Sequence, residues 1–589
     1  MSALPMRIAA VLAILGILTA PHFVSAFDVT LLNFIGIYAL VAIGLTLLTG
    51  VGGLVSFGQA AFVGIGAYST AWLTTVEGQS PWLGLAFAIL LTCAVAAVLG
   101  AVTLRLKGHF LSLSTLAWGL AIGFCFGNID GLGHFTGIAD IPPIRVGSLA
   151  LIGSGQIYYL IWAFVIAAVC LTHNLLDSRA GRAMRALRGG NLLVESLGVD
   201  AFRVRLTLFV IAAFLSALSG WLYAHLSRYV SPSPFDVGMG IEYLMMAMVG
   251  GAASPIGGVV GAALISILKN SIQDYLPLLA KGLSGQLEIV VFSVLFIIFL
   301  QRARDGVTPF IAKRLPKAKP ISPAPAPPLA QRSQPTPGAP LLQVRNAERR
   351  FKGLIAVNQL SFDVAAGEIV ALIGPNGAGK STMFNLLTGA LRLTSGSIIF
   401  NGREVRSISQ CRIARAGVAR TFQHVKLRPQ MTVLDNVLLG AYGRLSSGVL
   451  AGALRLNRAE EARVRYEALR QLERVGLAER AFDLAGNLPL GEQRLLEIAR
   501  ALIADPILLV LDEPAAGLRR QEKQALAELM RSLRAERLTI LLVEHDMDFV
   551  MNLADRVVVM EFGAKLSEGA PAQVRDDPRV QEAYLGGVA

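Results

Sequence analysis

The sequence is short of charge. Asp, Glu, Lys and Arg make up only 16% of its 589 residues, hydrophobic residues make up 54%, and mean hydropathy is +0.58. That balance excludes an ordinary water-soluble protein along the whole length and points to membrane segments. Cysteine is scarce. Cys93, Cys125, Cys170 and Cys411 are the only four, and none forms C-x-x-C. A disulfide framework and a cysteine metal site are therefore excluded, and these residues are expected to be buried small hydrophobes. Acidic residues are also too few to balance the basic ones, with 40 against 53 and a formal charge of +13. Such a surplus raises the question of nucleic acid. Its distribution argues otherwise: residues 1–301 carry +2, residues 302–340 carry +6 and residues 341–589 carry +5. Basic residues gather beside membrane spans on the cytoplasmic side, so no nucleic-acid partner is expected.

A chain this long exceeds one core. The apolar excess fills the first half and fades after Gln301. Runs of spanning length fall near residues 7–26, 29–49, 52–75, 81–104, 110–127, 157–173, 204–224, 240–268 and 284–300. The first has a cleavage-like "VSA" but a weak basic flank, and reads as a retained span. Arg105, Lys107 and the run Arg179, Arg182, Arg185, Arg188, Arg203 and Arg205 belong in the cytoplasm. An even number of crossings must separate Arg205 from Gln301. The run 240–268, broken by "GGAASPIGG", therefore reads as two short crossings, giving about ten spans. "SFGQAAFVGIGAYST" carries Gly58, Gly64 and Gly66. These suit either an interrupted helix lining a path or tight helix packing. Charges such as Glu242 and Glu288 stay near span ends, so no ion-coordinating pathway is indicated. The cytoplasmic stretch 181–205 reads as a short helix pair outside the bilayer, suited to docking a soluble domain. Residues 302–340 are Pro-rich and basic, and are expected to form an extended, solvated tether.

The second half carries chemistry. "ALIGPNGAGKST" follows an apolar strand and precedes a helical pattern. Gly374, Pro375, Asn376, Gly377, Ala378, Gly379, Lys380, Ser381 and Thr382 fit a phosphate-binding P-loop. Glycines let backbone N–H groups wrap phosphates at a helix N-terminus. Lys380 is expected to reach the outer phosphates, and Ser381 to bind Mg²⁺. "ILLVLDEP" is a buried strand delivering Asp512 to Mg²⁺ and Glu513 to an attacking water. His545 ends the strand of "ILLVEHDM" and, beside these parts, reads as catalytic. Gln423 in "RTFQHVKL" reads as a Mg²⁺ and water sensor. Phe351 either stacks on adenine or belongs to the core.

Taken together, Gly374–Thr382, Gln423, 487–494, Asp512, Glu513 and His545 resemble an ABC-transporter ATPase over 341–589. "MTVLDNV", "EIARAL", "DEPAAGL" and the ending "AYLGG" are similar to the ATPase of the branched-chain (hydrophobic) amino-acid uptake family. "GQAAFVGIGAY" and "GRAMRALRGGNLLVESLGV" resemble that family's permease. The fold class this implies is an N-terminal polytopic α-helical membrane domain joined to a C-terminal α/β P-loop ABC ATPase domain. The resemblance implies ATP and Mg²⁺ as cofactors and a multi-pass bacterial inner-membrane location with a cytoplasmic ATPase. It implies as partners a second permease, a second ABC ATPase and a periplasmic substrate-binding protein. The implied cargo is a branched-chain or hydrophobic amino acid; relatives of the family handle urea, short amides or aromatic acids. A fused exporter is the other transport class, but ten short-looped spans disfavour it.

Two motifs depart from the family pattern. The signature segment reads Leu488, Pro489, Leu490, Gly491, Glu492, Gln493 where L-S-G-G-Q is usual. The following loop, Ala516, Gly517, Leu518, Arg519, lacks the usual aspartate. In ABC dimers the signature faces the partner's nucleotide, so the defect is expected there and not at this chain's own P-loop. It mildly favours a heteromeric assembly over a homodimer.

Overall fold

A computed structural model describes residues 14–106, 108–251, 254–279, 286–303, 306–312, 322–405 and 408–585. The chain divides into two compact units. One comprises Met1–Asp177, Phe202–Pro320 and Gly452–Arg455; the other comprises Ser178–Ala201, Ile321–Ala451 and Leu456–Ala589.

The first unit is built from apolar helices. Among the described residues, six have the length and hydropathy to cross a membrane: Ala26–Val51, Pro81–Thr103, His109–Asn128, Ser154–Leu176, Ala201–Ser227 and Pro255–Asp274. Val237–Gly250 and Val290–Phe299 are apolar but shorter. Much of the expected run 7–26 lies outside the described residues, as do Lys107 and residues 313–321 of the connector. Burial sorts the helices. The most apolar stretch of Ala26–Val51 is 78% buried inside the protein, against 22% for Pro81–Thr103, so the first is central and the second peripheral. Cys125 and Cys170 sit on exposed faces and Cys93 is half-buried, correcting the expectation that all four cysteines are buried; none of the four is in a disulfide.

The two irregular stretches resolve differently. Gly58 precedes an unbroken helix, Gln59–Thr75, that contains Gly64 and Gly66. A Cβ at Gly66 would lie 2.7 Å from the Ala217 carbonyl oxygen, and one at Gly64 would lie 2.4 Å from the Phe126 ring. These glycines let helices touch; the irregular backbone lies just upstream, at residues 52–58. The run 240–268 does split: Val237–Gly250 ends at Gly251, and Pro255 opens the next helix. Lys269 on that helix pairs with Glu242 at 2.6 Å, a charge the span reading overlooked.

The second unit has a six-stranded sheet and a four-stranded one. The four-stranded sheet contains β1 (Pro340–Phe351), β2 (Leu354–Ala365), β4 (Ser395–Phe400) and β5 (Arg403–Glu404) in the order β2-β1-β4-β5. The six-stranded sheet contains β3 (Ile369–Ile373), β6 (Val418–Arg420), β7 (Leu508–Asp512), β8 (Thr539–Val543), β9 (Arg556–Glu561) and β10 (Ala564–Gly569). Its order is β10-β9-β3-β8-β7-β6, parallel except for β10. β3, β7 and β8 are buried at every position, as continuous apolar strands in parallel sheets must be. Val543 pairs with both Leu372 and Asp512. This register brings Gly374, Glu513 and Glu544 out along one edge, the carboxyl end where α/β sheets bind ligands.

Two helices from between the apolar runs belong to this unit: Arg179–Ala186 and Asn191–Ser196. The Arg182 guanidinium donates to Glu461 at 2.8 and 3.0 Å. Arg179 stacks 4.0 Å over the Tyr442 ring and donates to the Tyr442 and Ser447 carbonyls. The Gly198 carbonyl accepts from the Cys411 thiol and from Arg415 Nε at 2.8 Å. The expected docking surface is therefore present. The connector from residue 322 onward has no helix or strand before β1, yet it is pinned rather than free: Gln334 donates to the Pro506 carbonyl, and Arg444 donates to the Ala330 carbonyl.

The Arg182–Glu461 pair is 3% and 13% exposed. Removing Arg182 takes the bidentate guanidinium from a buried Glu461 and leaves it the Arg179 N–H, Asn457 and the more distant Arg465, at a cost of about 3 kcal/mol. Arg182→Ala is expected to lower the thermal midpoint clearly, with partial recovery in the Arg182→Ala/Glu461→Ala double variant. A loss below about 1 kcal/mol would reduce the pair to a surface bridge.

Candidate functional site

The P-loop turns sharply between β3 and the helix Lys380–Leu387. Gly379 caps that helix at φ +96°, and a Cβ there would lie 2.1 Å from the Ala356 carbonyl oxygen, so only glycine fits. Asn376 and Gly377 are exposed at the tip of the loop, and Ala378 is buried beneath it. Lys380 is 6% exposed, and its Nζ donates to the Gly374 and Pro375 carbonyls at 2.7 and 2.9 Å. Burial pulls its ammonium below the ordinary lysine range, while Glu513 and Asp512 partly restore it. An ammonium held there is poised for an anion. Ser381 and Thr382 follow on the first turn, with Ser381 exposed.

Asp512 ends β7 in a buried setting. Burial pushes its carboxyl up, and Arg420 opposes this. Arg420 reaches Asp512 Oδ2 at 3.4 Å and is held by Asn385 and Thr388 at 2.7 and 3.0 Å. Asp512 Oδ1 is buried without a partner. An orphaned carboxylate oxygen whose charge is felt by the P-loop lysine suits a hard divalent cation, which takes oxygen ligands.

Glu513 sits at φ +48°, a costly conformation for a non-glycine residue. Its Oε1 accepts from Gln423 Nε2 at 3.0 Å and faces His545 Nε2 at 2.9 Å. Three residues singled out from separate motifs thus meet at one oxygen. The backbone is fixed as well. Glu513 N donates to the Val543 carbonyl at 2.9 Å, and its own carbonyl accepts from Arg494 at 2.8 Å. Glu544, which burial pushes upward, accepts from the N–H groups of Ala515 and His545 and so fixes both flanks.

Sequence reasoning missed Arg420, Arg494 and Glu544. Arg420 and Arg494 lie inside stretches quoted for other residues. Their roles are backbone and charge contacts, for which a residue motif carries no signal.

Phe351 is 38% exposed at the β1–β2 turn and is not a core residue; the Arg349 guanidinium lies 4.6 Å from its ring centre. In the signature segment Pro489 is the residue capping helix Leu490–Leu502, one position before the first turn. Its carbonyl still accepts from Gln493 N at 3.0 Å, so the missing N–H leaves the cap intact. Leu488 is buried, whereas Leu490 is 51% exposed. Glu492 is paired with Arg480, which offsets its charge. A Cβ on Gly491 would lie 3.0 Å from Glu522 Oε1, so this glycine makes room for a neighbouring acid.

The family profile described as "Branched-chain amino acid transport system / permease component" matches residues 29–300. "ABC transporter" matches residues 357–516, and "Branched-chain amino acid ATP-binding cassette transporter" matches residues 564–589. The high-affinity branched-chain amino acid transport ATP-binding protein LivG of Salmonella typhimurium is 46% identical over 250 residues, covering 42% of this chain and 98% of LivG. The chain belongs to the branched-chain amino acid ABC transporter family. BraF of Pseudomonas aeruginosa, a protein of the same description, is 45% identical over 251 residues, again 42% of this chain and 98% of BraF. A solved ATP-binding cassette of an ABC transporter in its ADP conformation is 32% identical, covers 42% of this chain and 99% of its own, and has a TM-score of 0.38. These three relatives match the ATPase half alone; the permease half is matched by the family profile. This branched-chain transporter chain thus carries permease and ATPase together.

Arg494 is expected to position Glu513, whose carbonyl it holds. Arg494→Ala should lower kcat for ATP hydrolysis about 10-fold, roughly 1.4 kcal/mol, with KM for ATP little changed. Steady-state ATPase assays on the reconstituted transporter check this; a rise in KM alone would place Arg494 in nucleotide binding instead.

Proposed function

We propose that this chain is half of an ATP-driven importer of branched-chain or other hydrophobic amino acids in a bacterial inner membrane. Residues 1–301 would be the permease, with about ten crossings, residues 302–340 the connector, and residues 341–589 the cytoplasmic ATPase. The observation that carries the reading is the convergence of Gln423 and His545 on Glu513 beside the P-loop, on a chain whose other half matches a permease family. A second permease, a second ATPase and a periplasmic binding protein complete the assembly, since the family pairs unlike subunits.

Residues 374–382 would cradle the ATP phosphates, and Phe351 would offer its exposed ring to adenine. Ser381, Asp512 and Gln423 would hold Mg²⁺, which supplies charge neutralisation on the β- and γ-phosphates when bound. Lys380 neutralises the outer phosphates. Glu513 orients water and receives its proton, and His545 fixes the Glu513 carboxylate through Oε1. Residues 488–493 would face the partner's nucleotide. Pro489 brings no hydroxyl there, so that composite site is the weaker one.

Glu513→Gln is expected to lower ATP hydrolysis at this site about 100-fold or more while ATP binding survives. Uptake by vesicles should then stop; uptake at the unaltered rate would show that the partner's site alone suffices. Calorimetry on the cognate binding protein should show binding of leucine, isoleucine or valine. Selective binding of urea, short amides or aromatic acids would move the chain to another branch of the family, and binding of sugars or metals would overturn the substrate class.

A further inference from the structure

One stretch of the chain, residues 449–456, reverses the usual placement of apolar side chains. Leu450 is 77% exposed, Leu454 57% and Leu456 76%. They lie on and just after the short helix Val449–Ala453, between the turn Ala441–Arg444 and the helix Arg458–Arg474. The middle of this stretch, Gly452–Arg455, clusters with the apolar helices of the first unit. There the Ala453 carbonyl accepts from Asn174 Nδ2 at 3.0 Å. Asn174 lies two residues before the end of Ser154–Leu176, a helix of spanning length. Leu450, Leu454 and Leu456 are thus within three residues in sequence of the carbonyl that meets the end of a helix of spanning length.

Charge agrees with this placement. Glu460 is occupied by the N–H groups of Ser446 and Ser447, and Glu461 by Arg182. Arg455, Arg458 and Arg463 are exposed. Exposed leucines with a basic flank are the composition of segments that lie in the membrane interface, and a cytoplasmic leaflet is negatively charged.

We propose that residues 449–456 are a lipid-facing finger of the ATPase half. Leu450, Leu454 and Leu456 enter the boundary between headgroups and acyl chains, and Arg455 and Arg458 meet anionic headgroups. The inference rests on reading the apolar helices, Ser154–Leu176 and Pro81–Thr103 among them, as membrane spans, and the test separates the two ideas. The full chain with its partner subunits, and with Cys93, Cys125, Cys170 and Cys411 replaced by Ser, is placed in phosphatidylcholine–phosphatidylglycerol vesicles containing nitroxide-labelled lipid. A fluorophore is attached at Leu450→Cys or Leu456→Cys. Leu90→Cys, 70% exposed on the helix Pro81–Thr103, is the lipid reference, and Phe562→Cys, 85% exposed in the ATPase unit, is the aqueous one. Quenching at 450 and 456 should match that at 90 and exceed that at 562. Quenching at 90 but not at 450 and 456 overturns the finger and leaves the span intact; absence of quenching at 90 removes both. A photoreactive residue at position 450 in the chain with its native cysteines gives a second reading. Lipid adducts are expected, and adducts to a partner subunit would overturn the proposal.

Discussion

A buried ion pair between Glu497 and Arg500 holds the ATPase site together from behind. The two side chains are 1–2% exposed and 2.8 Å apart. An isolated charge in such a setting is very costly, and the pair persists because its remaining groups are satisfied. Those groups are the backbone of Lys426: its N–H donates to Glu497 at 2.9 Å, and its carbonyl accepts from Arg500 at 2.6 Å. Three residues earlier on that strand of chain is Gln423, which reaches Glu513. One turn earlier on the same helix is Arg494, which holds the Glu513 carbonyl. The helix Leu490–Leu502 thus grips the chain that carries Gln423 and the backbone of Glu513 together. Because the same helix begins at the signature segment, displacement of its N-terminus reaches both groups through a rigid element.

That arrangement changes the meaning of the odd signature. The serine hydroxyl is gone, but the helix behind it remains capped, salt-bridged and clamped to this chain's own site. The substitutions are confined to the cap, Pro489, and the first turn, where Leu490 is exposed and Glu492 is matched by Arg480. From Arg494 onward each polar residue discussed has a partner within the ATPase unit. The departure is therefore local to the surface offered outward.

Much of this was legible in the sequence because it rests on spacing. The P-loop has a fixed number of residues between glycines, one buried strand ends in Asp512 and another stops two residues short of His545, and the Gly–Pro break at 250–258 divides one long apolar run. The arginine periodicity of 181–205 foretold a helix pair that docks. Other features were not legible, because residue identity did not set them. Gly64 and Gly66 serve packing instead of breaking their helix, a choice made by Phe126 and Ala217 on other helices. The cysteines of apolar helices face outward wherever the helix does. The connector's composition predicts an extended chain, and it is one, but the Pro506 carbonyl and Arg444 that pin it lie more than a hundred residues away.

The loop 178–201 carries a consequence for how the protein is made. It is an early part of the chain, yet it completes an ATPase unit whose other residues are synthesised later. On a growing polypeptide, domains form largely in order of synthesis, so this strip is already in place when residues 341–589 emerge. A free ATPase subunit would have to find that strip by diffusion. Here the connector presents it at the high local concentration of a tethered ligand, and assembly of this half of the transporter becomes a folding step instead of a collision.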